Sequence, residues 1–143
     1  MKYVILIHAN PDPWGHPTSH HTAEGRALPS ELHEEMDRQF DVLLEELSAS
    51  GELVSAEALG DPASATVYGW SPEGHLATDG PYAEAKEQLA GFFIIDCRSR
   101  ERAGQIAAQF AQPGGSIELR PVMWPGGDEQ TPAAPENREE LRG

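Results

Sequence analysis

Two stretches of the chain are apolar on both faces of an extended ribbon. In Lys2 to Ala9, the residues Tyr3, Ile5 and Ile7 alternate with Val4, Leu6 and His8, so a strand there has no wholly polar side. In Gly91 to Cys97, the run Phe92-Phe93-Ile94-Ile95 repeats the pattern. Strands of this kind are covered on both faces, whereas a half-wet strand alternates apolar with polar. Weaker strands are predicted at 52–59, 65–70 and 75–78. The last two are joined by a tight turn at Ser71-Pro72-Glu73-Gly74. A final strand is predicted at 116–122, with Ile117 and Leu119 inward and Glu118 and Arg120 opposite.

Two helices fall between these strands. The first opens at Pro29-Ser30, with Ser30 as its expected N-cap, and closes at Gly51. Met36, Phe40, Leu43, Leu44 and Leu47 form its apolar stripe, while Glu34, Asp37, Asp41 and Glu45 lie off it and are expected to face water. The second is capped by Ser99, buries Ala103, Ile106, Ala107 and Phe110, and stops at Pro113-Gly114-Gly115. Asp79-Gly80-Pro81 is a further turn, and Ala83 to Leu89 reads equally as a short helix or an extended rim. Residues 10–29 are rich in Pro, Gly, His and Thr and form a long irregular insertion, a feature that is either functional or disordered. From Pro125 onward almost no large apolar residue occurs, so a disordered tail is expected at 125–143 after a domain at 1–124.

The element order is a βαββαβ split motif with an added hairpin, the ferredoxin-like α+β class. Both helices of that arrangement lie on one sheet face. The opposite face, apolar in the strands at 2–9 and 91–97, then requires its own cover, and a second copy packed face to face supplies it. The chain is therefore expected to be a homodimer.

Length and charge narrow the partners. A chain of 143 residues suits one domain. With 24 acidic against 10 basic residues its formal charge is −14. Its one basic cluster, Arg98, Arg100 and Arg102, is interrupted by Glu101. Nucleic acid and anionic membranes are thus not expected as partners. Cys97 is the sole cysteine, so no internal disulfide forms. Neither a secretory signal nor a membrane span is read, and a cytoplasmic location is expected.

The sixteen residues from Thr78 to Phe93 read TDGPYAEAKEQLAGFF. This stretch resembles the signature of the YCII-related family in its DGPF-motif branch, whose usual form is close to TDGPFAETKEQLGGFF. Tyr82, Ala85 and Ala90 are the three departures. The opening Met1 to Ile7, the segment Glu46 to Val54 and Glu118 to Val122 carry the likeness further, over about residues 1–124 without the insertion. The resemblance implies a dimeric α+β barrel, with muconolactone isomerases and small cofactor-free monooxygenases among its wider relatives. Some enzymes of the family use a histidine–aspartate pair for proton transfer or dehalogenation. At the histidine's place on the first helix this chain has Gln39-Phe40, with His33 roughly two turns earlier. At the aspartate's place before the last strand it has Gln112-Pro113. The pair is not reproduced at those positions. Members of the branch are often linked to alternative sigma factors of RNA polymerase.

Asp79 is the first candidate for chemistry, as a general base at a pocket mouth. The same carboxylate serves equally by bonding backbone amides and fixing its turn. His8, at the end of the first strand, is the second candidate for acid–base work, or else a strand-end histidine bonded to a neighbouring carboxylate. Tyr82, Lys86, Arg120 and Phe40 are the candidate substrate contacts; Lys86 also fits a solvated charged rim, and Arg120 also fits a pairing with Glu118. His16 and His20 are four apart, but Pro17 intervenes and no carboxylate–histidine motif surrounds them, so no metal site is read. Cys97 reads as a small buried hydrophobe. Trp14, Tyr68, Trp70 and Trp124 either line an apolar pocket or pack in the core. No Gly-rich phosphate loop, Ser–His–Asp arrangement or nucleotide fingerprint occurs, and no cofactor is expected. Two functions follow as expectations. One is a cofactor-free enzyme moving protons on a small apolar or aromatic molecule. The other is a non-catalytic module that meets a protein partner such as a sigma-factor system.

Overall fold

The computed structural model describes residues 1–123 and Gly126. In chain order its elements are β1 (Lys2–Ala9), α1 (Ala23–Arg26), α2 (Ser30–Ser50), β2 (Leu53–Ala58), β3 (Thr66–Ser71), β4 (Gly74–Asp79), β5 (Gln88–Asp96), α3 (Arg100–Ala108) and β6 (Gly115–Pro121). Four strands form one antiparallel sheet in the order β2-β5-β1-β6. The two doubly apolar strands, β1 and β5, occupy its centre, and the half-polar ones take its edges. This is the strand order of a ferredoxin-like split βαβ. The hairpin β3-β4 forms a separate two-stranded sheet.

The core lies between this sheet and the two long helices. Tyr3 and Ile5 of β1, Ile95 of β5, Leu43 and Leu47 of α2, and Ile106 with Phe110 beside α3 are all buried there. Every one sits on the inward parity its strand or the inward stripe its helix supplies. Gly51 ends α2 at φ +80, where only a residue without Cβ is unstrained. Ser99 Oγ accepts from the Arg102 N–H and caps α3 as expected. The start of α2 differs: Pro29 is its N-cap and makes no side-chain bond, and Ser30 is already helical. Proline holds an extended entry residue well and has no N–H to satisfy. The opposite sheet face carries Val4, Leu6, Phe92 and Ile94, all half-buried in the single chain.

Two segments left open by periodicity are now defined. Residues 83–87 are irregular, and Gln88 begins β5 while its amide donates to the Ala83 and Ala85 carbonyls at 2.9 and 3.4 Å. The insertion 10–29 is ordered: it holds a 3₁₀ turn at Thr18–His20 and the short α1, with Pro11, Ser19 and Thr22 buried. The tail expected at 125–143, and Trp124, lie outside the described residues, apart from Gly126. Among the described residues no helix is long and apolar enough to cross a membrane.

Candidate functional site

A cavity of about 500 Å³ opens between the sheet and α2, on the helix-covered face. Its floor is the sheet: Ile7 of β1, Gly91 and Phe93 of β5, and Ala56 and Ala58 of β2. Small residues make this room. Ala56 faces Phe93 and Ala58 faces Gly91 in the β2–β5 register. A Cβ at Gly91 would lie 2.8 Å from the Glu57 carbonyl oxygen, so only glycine lets the strands run this close. Met36, Asp37, Phe40 and Leu44 of α2 form one wall, and Phe110 and Gln112 close one end. Phe40, Phe93 and Phe110 make a mutual aromatic cluster, with centroids 4.4 to 6.2 Å apart. Such tilted and edge-on contacts are the favoured ones between rings.

The roof is the insertion, through His16, Pro17, Thr18 and Ser19. Polar side chains fasten it to main-chain groups on several elements. The Trp14 indole N–H donates to the Leu59 carbonyl at 2.9 Å, and His16 Nε2 meets the same oxygen at 2.9 Å. The Thr22 hydroxyl donates to the Pro113 carbonyl at 3.0 Å and accepts from the Gly25 N–H. Arg26 ties the loop to itself through the Asp12 and His21 carbonyls. His33 of α2 reaches the Gly25 carbonyl at 2.6 Å. A carbonyl only accepts, so that ring nitrogen carries the proton, and the buried Nδ1 of His33 is left without a partner.

The sixth fastening brings two ionisable groups together. His20 Nε2 lies 3.1 Å from Asp37 Oδ1 and 3.0 Å from Oδ2. The rings of His20 and His33 meet edge to face at 4.8 Å. Asp37 borders the cavity, and His20 stands behind it. Asp37, expected to face water, does so in part: its side chain is 44% exposed, and the insertion folds over that flank of α2. Its place beside Met36 and Phe40 was the only hint in the sequence, and helix periodicity carries no information about a loop laid across the helix. Residues 16–20 were legible as a histidine cluster without a destination. Among the described residues no three His, Cys, Asp or Glu side chains are grouped as metal ligands would be.

The residues singled out from sequence are distributed differently. Phe40 lines the cavity. His8 sits on the main sheet, 3.0 Å from Glu118 Oε1. Asp79 ends β4 in the hairpin, opposite Thr66 and exposed, and its turn is held by the Gly80 N–H donating to the Ala65 carbonyl at 2.7 Å. The two therefore stand on separate sheets, and neither borders the cavity. Tyr82 is 91% exposed and Lys86 is exposed. Arg120 is exposed, 3.7 Å from Glu118. Trp14 is a roof anchor, and Tyr68 and Trp70 face solvent on the hairpin. Cys97 is buried, and burial pushes its thiol above the ordinary range, which keeps it protonated and unreactive.

A split-βαβ domain with an apolar, acid-bordered cavity under a polar-fastened loop is thus the class of protein the fold defines. The chain belongs to the YCII-related domain family, whose profile matches residues 1–124. It is also 48% identical over 50 residues to an uncharacterized protein of Rhizobium meliloti (strain 1021). That match takes in 33% of this chain and 40% of the relative's length.

Proposed function

We propose that this protein binds a small apolar or aromatic organic molecule in the cavity beneath the insertion and that Asp37, oriented by His20, is its proton-transfer group. The observation that carries this is the cavity itself. About 500 Å³ is the size of a small-molecule site, since such sites run to roughly 300–1,000 Å³ with apolar walls and a few placed polar groups. Here the walls are mostly aromatic and aliphatic, with a few polar side chains from His16, Thr18, Ser19, Asp37 and Gln112. Asp37 can take a proton from a bound molecule and return it, and His20 holds the carboxylate in place. No cofactor is needed for that chemistry. Asp79 and His8 remain acid–base proposals of their own, each on its own sheet and away from this cavity.

Ala58→Phe tests the reading without removing a core residue. Ala58 is exposed at the sheet edge yet borders the cavity, so a ring there fills the space. Aromatic fragments that raise the thermal midpoint of the wild type are expected to lose that effect in the variant. Equal shifts in both proteins would place fragment binding elsewhere and end the proposal.

We further propose that residues 78–93 put the chain in the DGPF branch and that it forms a homodimer through the sheet face bearing Val4, Leu6, Phe92 and Ile94. A second reading, a module that docks a protein partner, draws on the hairpin. There Tyr68 and Trp70 are 67% and 84% exposed on one face with His75. Exposed aromatics of this kind are typical of contact surfaces.

A further inference from the structure

Among the described residues the cavity wall contains no lysine or arginine. Glu57 borders it, but Glu57 pairs with Phe92, on the sheet face away from Phe93. It therefore contributes main chain, in keeping with its carbonyl standing against Gly91. Among the described residues Asp37 is then the one carboxylate presented to the cavity. Its side chain is 44% exposed, and His20 offers it a single N–H. An ionised carboxylate has about four acceptor sites, so most of its capacity is open. The cations nearby in sequence are spoken for. Arg38 Nε donates to Glu35 Oε2 at 3.1 Å, and Arg26 is bound to the Asp12 and His21 carbonyls. His16, also on the wall, is held at the Leu59 carbonyl.

A carboxylate or phosphate in this space would lose its water beside Asp37 with no lysine or arginine among the described wall residues to offset the cost. A cation gains there twice, from Asp37 and from the faces of neighbouring rings. We infer that the ligand is a small organic amine. Its ammonium sits on Asp37, and its apolar or aromatic body fills the space bounded by Phe40, Phe93 and Phe110. This rests on the cavity being the small-molecule site proposed above. The chain's charge of −14 adds a long-range field that draws cations toward it.

Three matched probes decide it: phenethylamine, 2-phenylethanol and 3-phenylpropanoate, titrated by calorimetry or protein NMR at neutral pH and low salt. The amine is expected to bind the wild type about tenfold more tightly than either other probe. Asp37→Asn, which keeps an oxygen for His20, is expected to erase that preference, and Ala58→Phe to abolish binding of all three. The inference alone is overturned if the alcohol or carboxylate binds as tightly as the amine, with Ala58→Phe still blocking it. It is likewise overturned if the amine's advantage survives in Asp37→Asn. If none of the probes binds, the small-molecule reading falls with it. Should Asp37→Asn fail to fold, the ranking of the three probes on the wild type is decisive by itself.

Discussion

A methyl group at Gly25 has no room. A Cβ there would run into the Ser19 carbonyl oxygen and lie 2.9 Å from the Thr22 hydroxyl. Both belong to the insertion, and the Ser19 oxygen is main chain that cannot turn aside. Gly25→Ala is therefore expected to open the roof at a cost of about 1–3 kcal/mol. Faster protease cleavage within residues 10–29, ahead of any loss of the core, is the check. Glu52 makes the complementary case. It receives Arg102 Nε and Nη2 at 2.9 Å each, and its own carbonyl accepts from the Asp96 N–H. It thus ties the start of β2 to α3 and β5. Hydrogen bonds from Arg102 hold its carboxyl below the ordinary range, helped by the Ser50 hydroxyl against the cost of burial. A carboxyl whose folded value is depressed contributes stability above its ordinary, unfolded value near 4.3. That stability is lost as pH falls through the lower folded value. Glu52→Gln is expected to cost about 1–2 kcal/mol at pH 7 and progressively less below pH ~4, read by urea denaturation across that range. Neither interaction was visible beforehand. Helix arithmetic sees one element at a time, and both Glu52–Arg102 and His20–Asp37 join residues on different ones.

At the scale of elements, pattern and outcome agree where burial is repetitive. β1 and β5 announce themselves by apolar residues of both parities, and α2 by its stripe through Leu43 and Leu47. The order of the main sheet then follows from placing those two strands innermost. Agreement ends where structure is held by single polar bonds. The insertion has no periodicity because bonds from Trp14, His16, Thr22, Arg26 and His33 to carbonyls hold it. Those bonds depend on where distant main chain happens to lie. Segment 83–87 is similar, gathered by one glutamine amide. This difference predicts two classes of mutant. Leu47→Ala, at 1% exposure between α2 and the sheet, is expected to lower global stability by about 2–5 kcal/mol. Thr22→Val removes both the bond to Pro113 and the acceptor of the Gly25 N–H and is expected to cost about 1–3 kcal/mol. Hydrogen exchange separates them: the first speeds exchange throughout the sheet, the second only in residues 10–29.

For the whole molecule, the unanswered surface is the sheet face away from the helices. Val4, Leu6, Phe92 and Ile94 sit on its two central strands, with no helix among the described residues above them. The homodimer proposed for this face predicts that sedimentation at micromolar concentration gives twice the chain mass. It also predicts that Leu6→Glu halves it while leaving the far-ultraviolet circular dichroism unchanged. A wild-type monomer under those conditions would remove the proposal. The sequence announced this face through doubled apolarity alone. It was silent about the cavity because an empty space is defined by residues that stay small, such as Ala56, Ala58 and Gly91, and these leave no hydrophobic signal.

One carbonyl deserves a last thought. Leu59 presents its oxygen to both Trp14 and His16, while its own N–H is taken by Ala90. Because the shared acceptor is peptide oxygen, drift in the side chain at position 59 leaves the latch intact. Adding or deleting a single residue within β2, ahead of position 59, would instead carry that oxygen away by about 3.3 Å, farther than either ring could follow. Descendants of this chain should therefore vary freely in the identity of residue 59 while keeping the number of residues around it constant.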